Sequence, residues 1–164
     1  MISGLMGFTL FHVVLSLVGI FAGFVVVFGM LTDKPLDVWT SVFLWTTALT
    51  SVTGFLFPFH RLLPSHVLGV LSLIALAVAF YARHQWRLEG GWRRSYVTSS
   101  VIALYLNVFV LVAQLYMKVP ALKAIAPTQT ETPFKITQLT VLVLFIVLGF
   151  LATIRFHGER LHAA

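Results

Sequence analysis

Long apolar stretches alternate with short polar segments along the whole chain. Each of five stretches has about 20 residues with almost no charged side chain, enough for a helix to cross a hydrocarbon core about 30 Å thick. We predict five transmembrane helices, at residues 8–31, 38–58, 65–86, 95–117 and 134–156. They leave no room for a soluble domain. We therefore expect one all-α domain over residues 1–164, a single bundle of five transmembrane helices.

The segments between these helices carry typical helix-breaking residues. The pair Gly90-Gly91 interrupts the third connection. In the longest connection, Pro120, Pro127 and Pro133 exclude a continuous helix, although the segment "ALKAIA" is compatible with one turn lying in the membrane interface.

Basic residues are distributed unequally between the two sides of the predicted bundle. Cytoplasmic loops of membrane proteins are enriched in Lys and Arg, which predicts an external amino terminus and a cytoplasmic carboxyl terminus. The two sets are Arg61, Lys118, Lys123 and Lys135 on the amino-terminal side, against Lys34, Arg83, Arg87, Arg93, Arg94, Arg155 and Arg160 on the other.

Composition supports a membrane location and excludes several kinds of chemistry. The chain is 59% hydrophobic and 10% charged, whereas a soluble domain has about 25% charged residues. It has no cysteine, which excludes disulfides and thiolate metal sites. Its net charge of +6 is divided among loops and forms no continuous patch, so anionic lipid headgroups are expected partners and nucleic acid is not.

Histidines provide the first candidate site. The segment "FPFHRLLPSH" carries His60 and His66 where the second and third helices meet, and His12 lies about one turn inside the first helix. Neutral imidazole binds haem iron, copper or zinc. We predict His12 and His66 as axial ligands of a haem b near the outer face, with copper or zinc as the alternative. His60 would be a substitute ligand or a supporting group, and Arg61 would help to set the potential.

Small residues accompany these histidines. His12, Ser16, Gly19 and Gly23 form one stripe on the first helix, and Gly69 follows His66 by three residues. Missing side chains allow close approach of either a porphyrin or a neighbouring helix, and a G-x-x-x-G motif is mainly a helix-packing signal.

Uncharged polar residues line the other predicted helices. Thr47 and Ser51 share a face of the second helix, and Asn107 and Gln114 share a face of the fourth. With Ser16 they form either interhelical hydrogen bonds or a polar wall for a quinone headgroup or a small solute. The last helix is apolar around its circumference, which favours contact with lipid or with a partner subunit. No predicted helix has Asp, Glu, Lys or Arg in its interior, which argues against a proton-driven transporter.

The segments "LYLNVFVLVAQ" and "KVPALKAIAPTQTETPF", with "FHVVLSLVGI" and "TSVTGFLFPF", resemble a pattern of small bacterial five-helix integral membrane proteins that have no assigned activity. The resemblance extends over most of the chain. It implies a bacterial inner membrane location and no particular chemistry.

Three functional hypotheses follow from these patterns. One is electron transfer by a small b-type haem or quinone-linked protein. The second is a non-enzymatic accessory, assembly or sensing subunit, bound to a partner membrane subunit or to a second copy of the chain. A small-solute permease is the third. The sequence leaves open whether the protein is an enzyme, and it identifies no catalytic residue.

Overall fold

The computed structural model describes residues 2–57 and 64–157, and every secondary-structure element in this part of the chain is a helix. There are six of them: α1 (Ile2–Leu31), α2 (Asp37–Gly54), α3 (Pro64–His84), α4 (Gly91–Lys118), α5 (Pro120–Ile125) and α6 (Thr132–Arg155). The all-α prediction is confirmed. The short helix α5 corresponds to the turn that "ALKAIA" permits.

Within residues 2–57 and 64–157, four helices are long and apolar enough to cross a membrane: Met6–Leu31, His66–His84, Trp92–Lys118 and Thr132–Arg155. The prediction of five such helices is therefore only partly confirmed. The helix expected at 38–58 does form, but α2 has 18 residues and ends at Gly54. Five threonines and two serines among these 18 residues leave α2 without a stretch apolar enough to join the four.

The end of α1 shows how local chemistry sets a helix boundary. Asp33 takes a left-handed conformation with φ of 52°. The Lys34 amide then donates to the Gly29 carbonyl over 2.8 Å, and the Asp33 amide donates to Met30 over 3.3 Å. This pair of bonds is a Schellman motif, which satisfies carbonyls that the helix itself leaves free. A Cβ on Gly29 would lie 2.8 Å from the Lys34 carbonyl oxygen, so glycine is required there.

Helix α4 lies at the centre of the bundle. It packs against α1, α3, α5 and α6, while α2 packs against both α1 and α3. Among the described residues, α1 and α3 share no substantial interface, because α2 and α4 lie between them. The core contains large side chains that are almost fully buried, among them Met30, Phe43, Leu76, Tyr96 and Leu104.

Candidate functional site

His12 contacts the last turn of α2. Its Nδ1 lies 2.8 Å from the Thr53 hydroxyl oxygen, and its ring meets the Phe57 ring edge-on at 5.1 Å between centroids. The Thr53 hydroxyl donates its single proton to the Leu49 carbonyl over 2.7 Å, so it accepts the bond from His12. This arrangement places the proton on Nδ1 and the lone pair on Nε2.

His66 lies in the first turn of α3 and is buried, with 7% of its surface exposed. Its ring lies 5.6 Å from the Phe55 ring, at 36° between planes. Phe55 follows the end of α2, so His66 packs against the same end of α2 as His12 does. The two histidines are on helices that do not pack directly on one another.

Two of the residues predicted to surround the cofactor, His60 and Arg61, lie outside the described residues. Within 2–57 and 64–157, no group of three His, Cys, Asp or Glu side chains could hold a metal ion. His84 bonds to the Phe80 carbonyl and stacks on the Phe80 ring.

The glycines predicted to border a cofactor are covered by the protein's own side chains. A Cβ on Gly19 would lie 3.0 Å from the Thr46 hydroxyl oxygen. A Cβ on Gly23 would lie 2.6 Å from Leu104, and one on Gly69 would lie 3.1 Å from the Phe55 ring. In this structure, all three glycines allow other parts of the chain to approach closely.

The predicted polar lining is used mainly for contacts between and within helices. Asn107 of α4 donates to the Thr47 hydroxyl over 3.3 Å, which joins α4 to α2. Ser51 donates to the Thr47 carbonyl over 2.9 Å and lies 3.2 Å from the Ser72 hydroxyl of α3. Ser16 donates to the Val13 carbonyl within α1. Gln114 is exposed and does not join this group.

Sequence reasoning missed a charged network at the opposite end of the bundle. Arg83 of α3 pairs with Asp37 of α2 and lies 5.9 Å from the centre of the Tyr96 ring of α4. The Tyr96 hydroxyl donates to Thr40 over 3.4 Å. Asp37 lies in the same connection as Lys34, immediately before the second predicted helix, and so belongs to the side of the membrane predicted for Arg83; this common placement is the signal that could have suggested a pair.

The carboxyl-terminal residues are also tied to this end. Asp33 accepts a bond from the His157 amide over 2.8 Å, and its other oxygen lies 3.3 Å from the His157 ring. Arg93 donates to the Phe156 carbonyl. The two residues that follow α6 are thereby joined to the α1–α2 turn and to α4.

Helix α6 is joined to α4 at its other end by polar groups that periodicity does not reveal. Gln138 is buried and donates to the Phe109 carbonyl over 3.1 Å. The Tyr116 hydroxyl lies 2.8 Å from that of Thr137. Away from α4, α6 presents an exposed apolar stripe made of Ile136, Val143, Val147 and Ile154, which we call the α6 stripe.

The loop before α6 is organised by Glu131. Its carboxylate accepts bonds from the Thr128 hydroxyl over 2.8 Å and from the Thr128 and Thr130 amides over 3.1 Å and 3.0 Å. Slight desolvation raises the pKa of this carboxyl, but these hydrogen bonds outweigh it and hold the pKa below its usual value.

Comparison of the chain with protein-family models, with curated proteins and with solved structures gave no match.

Proposed function

We propose that the chain is a non-enzymatic accessory, assembly or sensing subunit of a complex in a bacterial inner membrane. The observation that carries this proposal is how the polar side chains of the bundle are used. His12, Asn107 and Ser51 each reach a hydroxyl on a neighbouring helix. Side chains engaged in this way stabilise a bundle, and they are less available to bind a substrate.

The α6 stripe supports a role in assembly. Its four side chains recur every seven or four residues, and each is about half exposed or more. A stripe of this spacing is suited to packing against one more helix. We propose that the helix belongs to a different membrane subunit.

The experiment uses a photoreactive amino acid in place of Val143 in the α6 stripe. The matched control carries the same amino acid in place of Val14 of α1, since these two valines have nearly equal exposed fractions, 50% and 51%. Both variants are irradiated in the native membrane and then purified. We expect one defined protein adduct from position 143, which also co-purifies with the unmodified chain in a fixed ratio, and lipid adducts alone from position 14.

Lipid adducts at both positions would contradict the proposal. An adduct of two copies of this chain would replace the different subunit by a homo-oligomer, and would equally overturn the proposal as stated.

We further propose that the amino terminus faces the exterior and the carboxyl terminus the cytoplasm. The support is the excess of basic residues on the side of the bundle that carries the carboxyl terminus. A cysteine introduced into the α5–α6 connection should react with an impermeant thiol reagent added outside intact cells. Protection there, with reaction at a cysteine introduced into the α3–α4 connection, would reverse the orientation.

The second candidate function is electron transfer through haem b, or a quinone-linked equivalent. One specific observation favours it. The bond to Thr53 leaves the Nε2 lone pair of His12 without a partner among the described residues, and metal-bound histidines typically donate their other ring N–H in this manner. His66 would supply the second axial ligand at the same end of α2.

The redox candidate is tested by the visible spectrum of the protein purified from haem-replete cells. Haem b requires a Soret band and an α band that sharpens on reduction with dithionite, both lost in His12→Ala and in His66→Ala. A colourless preparation would exclude this candidate and leave the accessory role.

A further inference from the structure

A groove of about 340 Å³ runs between α4 and α6 on the outside of the bundle. Val101, Ile102 and Tyr105 line it from α4, and Phe145, Ile146 and Phe150 line it from α6. Thr98 and Tyr105 mark its extent on α4, a distance of about 10 Å at the helical rise of about 1.5 Å per residue. The walls are mainly apolar. In a membrane, such a groove opens toward the acyl chains of the lipid.

A cationic side chain lies on the same face of α4 as the groove. Arg94 precedes Thr98 by four residues, Ile102 by eight and Tyr105 by eleven, so Arg94 lies on the groove face of α4, in the first turn of the helix. Its side chain is exposed. A cation at this depth can meet a lipid headgroup while the groove beneath it holds an apolar chain.

The side-chain contacts found at this end of the bundle do not include Arg94. Arg93 donates to the Phe156 carbonyl. Asp37 pairs with Arg83, and Asp33 pairs with His157. Within residues 2–57 and 64–157, Arg94 makes no ion pair and no side-chain hydrogen bond.

Thr98 gives the charged end of the groove a hydrogen-bond donor. Threonines in helices normally donate to the carbonyl four residues earlier, and Thr153 on the α6 side of the groove does so, to Gly149 over 2.7 Å. The Thr98 hydroxyl has no hydrogen-bond partner among the described residues. One turn of α4 thus carries a cation and a free hydrogen-bond donor at one end of the apolar groove.

We propose that this groove binds an anionic phospholipid, with one acyl chain along the groove, the phosphate against Arg94, and the Thr98 hydroxyl donating to a phosphate or glycerol oxygen. Charge complementarity selects this occupant. A partner helix would fill the apolar walls but leave the arginine unpaired, and a zwitterionic lipid would bring its own cation to Arg94. Basic pockets between transmembrane helices are known to hold anionic headgroups. The site goes beyond the proposed function and does not depend on it.

The test measures how much lipid the purified full-length protein retains. The protein is mixed in detergent with phosphatidylglycerol or phosphatidylcholine of identical acyl chains, and bound lipid is counted by native mass spectrometry. We expect one phosphatidylglycerol to be retained in preference to phosphatidylcholine. Arg94→Gln should weaken the binding of phosphatidylglycerol about fivefold, the effect of one basic residue near a charged lipid surface. Thr98→Val should also weaken the binding of phosphatidylglycerol.

Two pairs of variants separate the groove from general effects. Arg155→Gln removes an exposed arginine at the same end of the bundle; it follows the lining residue Thr153 by two positions, so it lies off the groove face of α6 and should leave retention unchanged. Ile102→Trp fills the groove from an exposed position and should lower retention, whereas Ile74→Trp makes the same change at an exposed position on α3 and should not. Since all four changes are at exposed positions, the fold should tolerate them.

Several outcomes would overturn the proposal. One is equal retention of the two lipids by the unaltered protein. Another is an equal loss of phosphatidylglycerol in Arg94→Gln and Arg155→Gln, which would indicate attraction by overall charge. Full retention in Ile102→Trp would show that no acyl chain occupies the groove.

Discussion

Substitution of Gly23 by alanine should destabilise the bundle, because the added methyl group has no space. The new Cβ would lie 2.6 Å from Leu104 and 2.9 Å from the Phe43 ring. These neighbours cannot easily move, since Leu104 is 0% and Phe43 1% exposed. Forcing a methyl group into a well-packed core costs about 1–3 kcal/mol.

Gly7→Ala is the matched control in the same helix. A Cβ at Gly7 would meet no atom within 4 Å. Both substitutions gain the higher helix propensity of alanine, about 1 kcal/mol, so this contribution largely cancels between them. We therefore expect Gly23→Ala to be less stable than Gly7→Ala by about 1–3 kcal/mol, the packing cost alone.

The assay is reversible unfolding in mixed micelles of a mild detergent and dodecyl sulfate, followed by loss of helical circular dichroism. The two free energies of unfolding are compared at the same micelle composition. Equal stability of the two variants would mean that Gly23 does not face Leu104 and Phe43. It would also reopen the interpretation in which the glycine stripe leaves room for a porphyrin.

Three further predictions concern the polar contacts. A double-mutant cycle of His12→Ala and Thr53→Val should give a coupling free energy of about 0.6 kcal/mol, typical of hydrogen bonds between transmembrane helices; a coupling of zero would contradict the bond. Asp37→Asn should lower the free energy of unfolding by about 1 kcal/mol, because it removes the ion pair with Arg83. This value is near the upper end of the range for exposed ion pairs, since the Arg83 side chain is mostly buried. Unchanged stability in detergent would contradict this prediction. The lowered pKa of Glu131 means that its contribution to loop stability is complete above its unfolded-state pKa and is lost as the pH falls through the lower folded-state pKa. At neutral pH, Glu131→Gln should therefore reduce hydrogen-exchange protection of the loop amides bonded to it, relative to intrinsic rates, and the unaltered protein should lose that protection only in acid.

Hydropathy predicted where the helices would form, because length and apolarity are properties of consecutive residues. Hydropathy overestimated the length and the apolarity of α2 for the same reason. The run continues to Pro58 without a charge, but Gly54 ends the helix, and the threonines that make α2 polar are partly buried against neighbouring helices. Burial of these hydroxyl groups depends on how the helices pack, and the number of apolar residues in a stretch of sequence does not indicate that.

The candidate site was predictable in its location and not in its contacts. The spacing of His12 and His66 within their helices suggested one common end of the bundle, and both do contact the end of α2. That α2 and α4 separate α1 from α3 is a matter of helix arrangement, and no periodicity specifies it. The pair formed by Asp33 and His157 joins residues from opposite parts of the chain for the same reason.

The proposed function requires that this chain pack against another membrane protein as a subunit of a complex. Native mass spectrometry of the assembly, released intact from the membrane of origin in a mild detergent, would measure whether it does. We expect a discrete mass in which the 18.3 kDa chain is joined to a different subunit in a fixed ratio. A mass of 18.3 kDa with bound lipids and no second protein would contradict it.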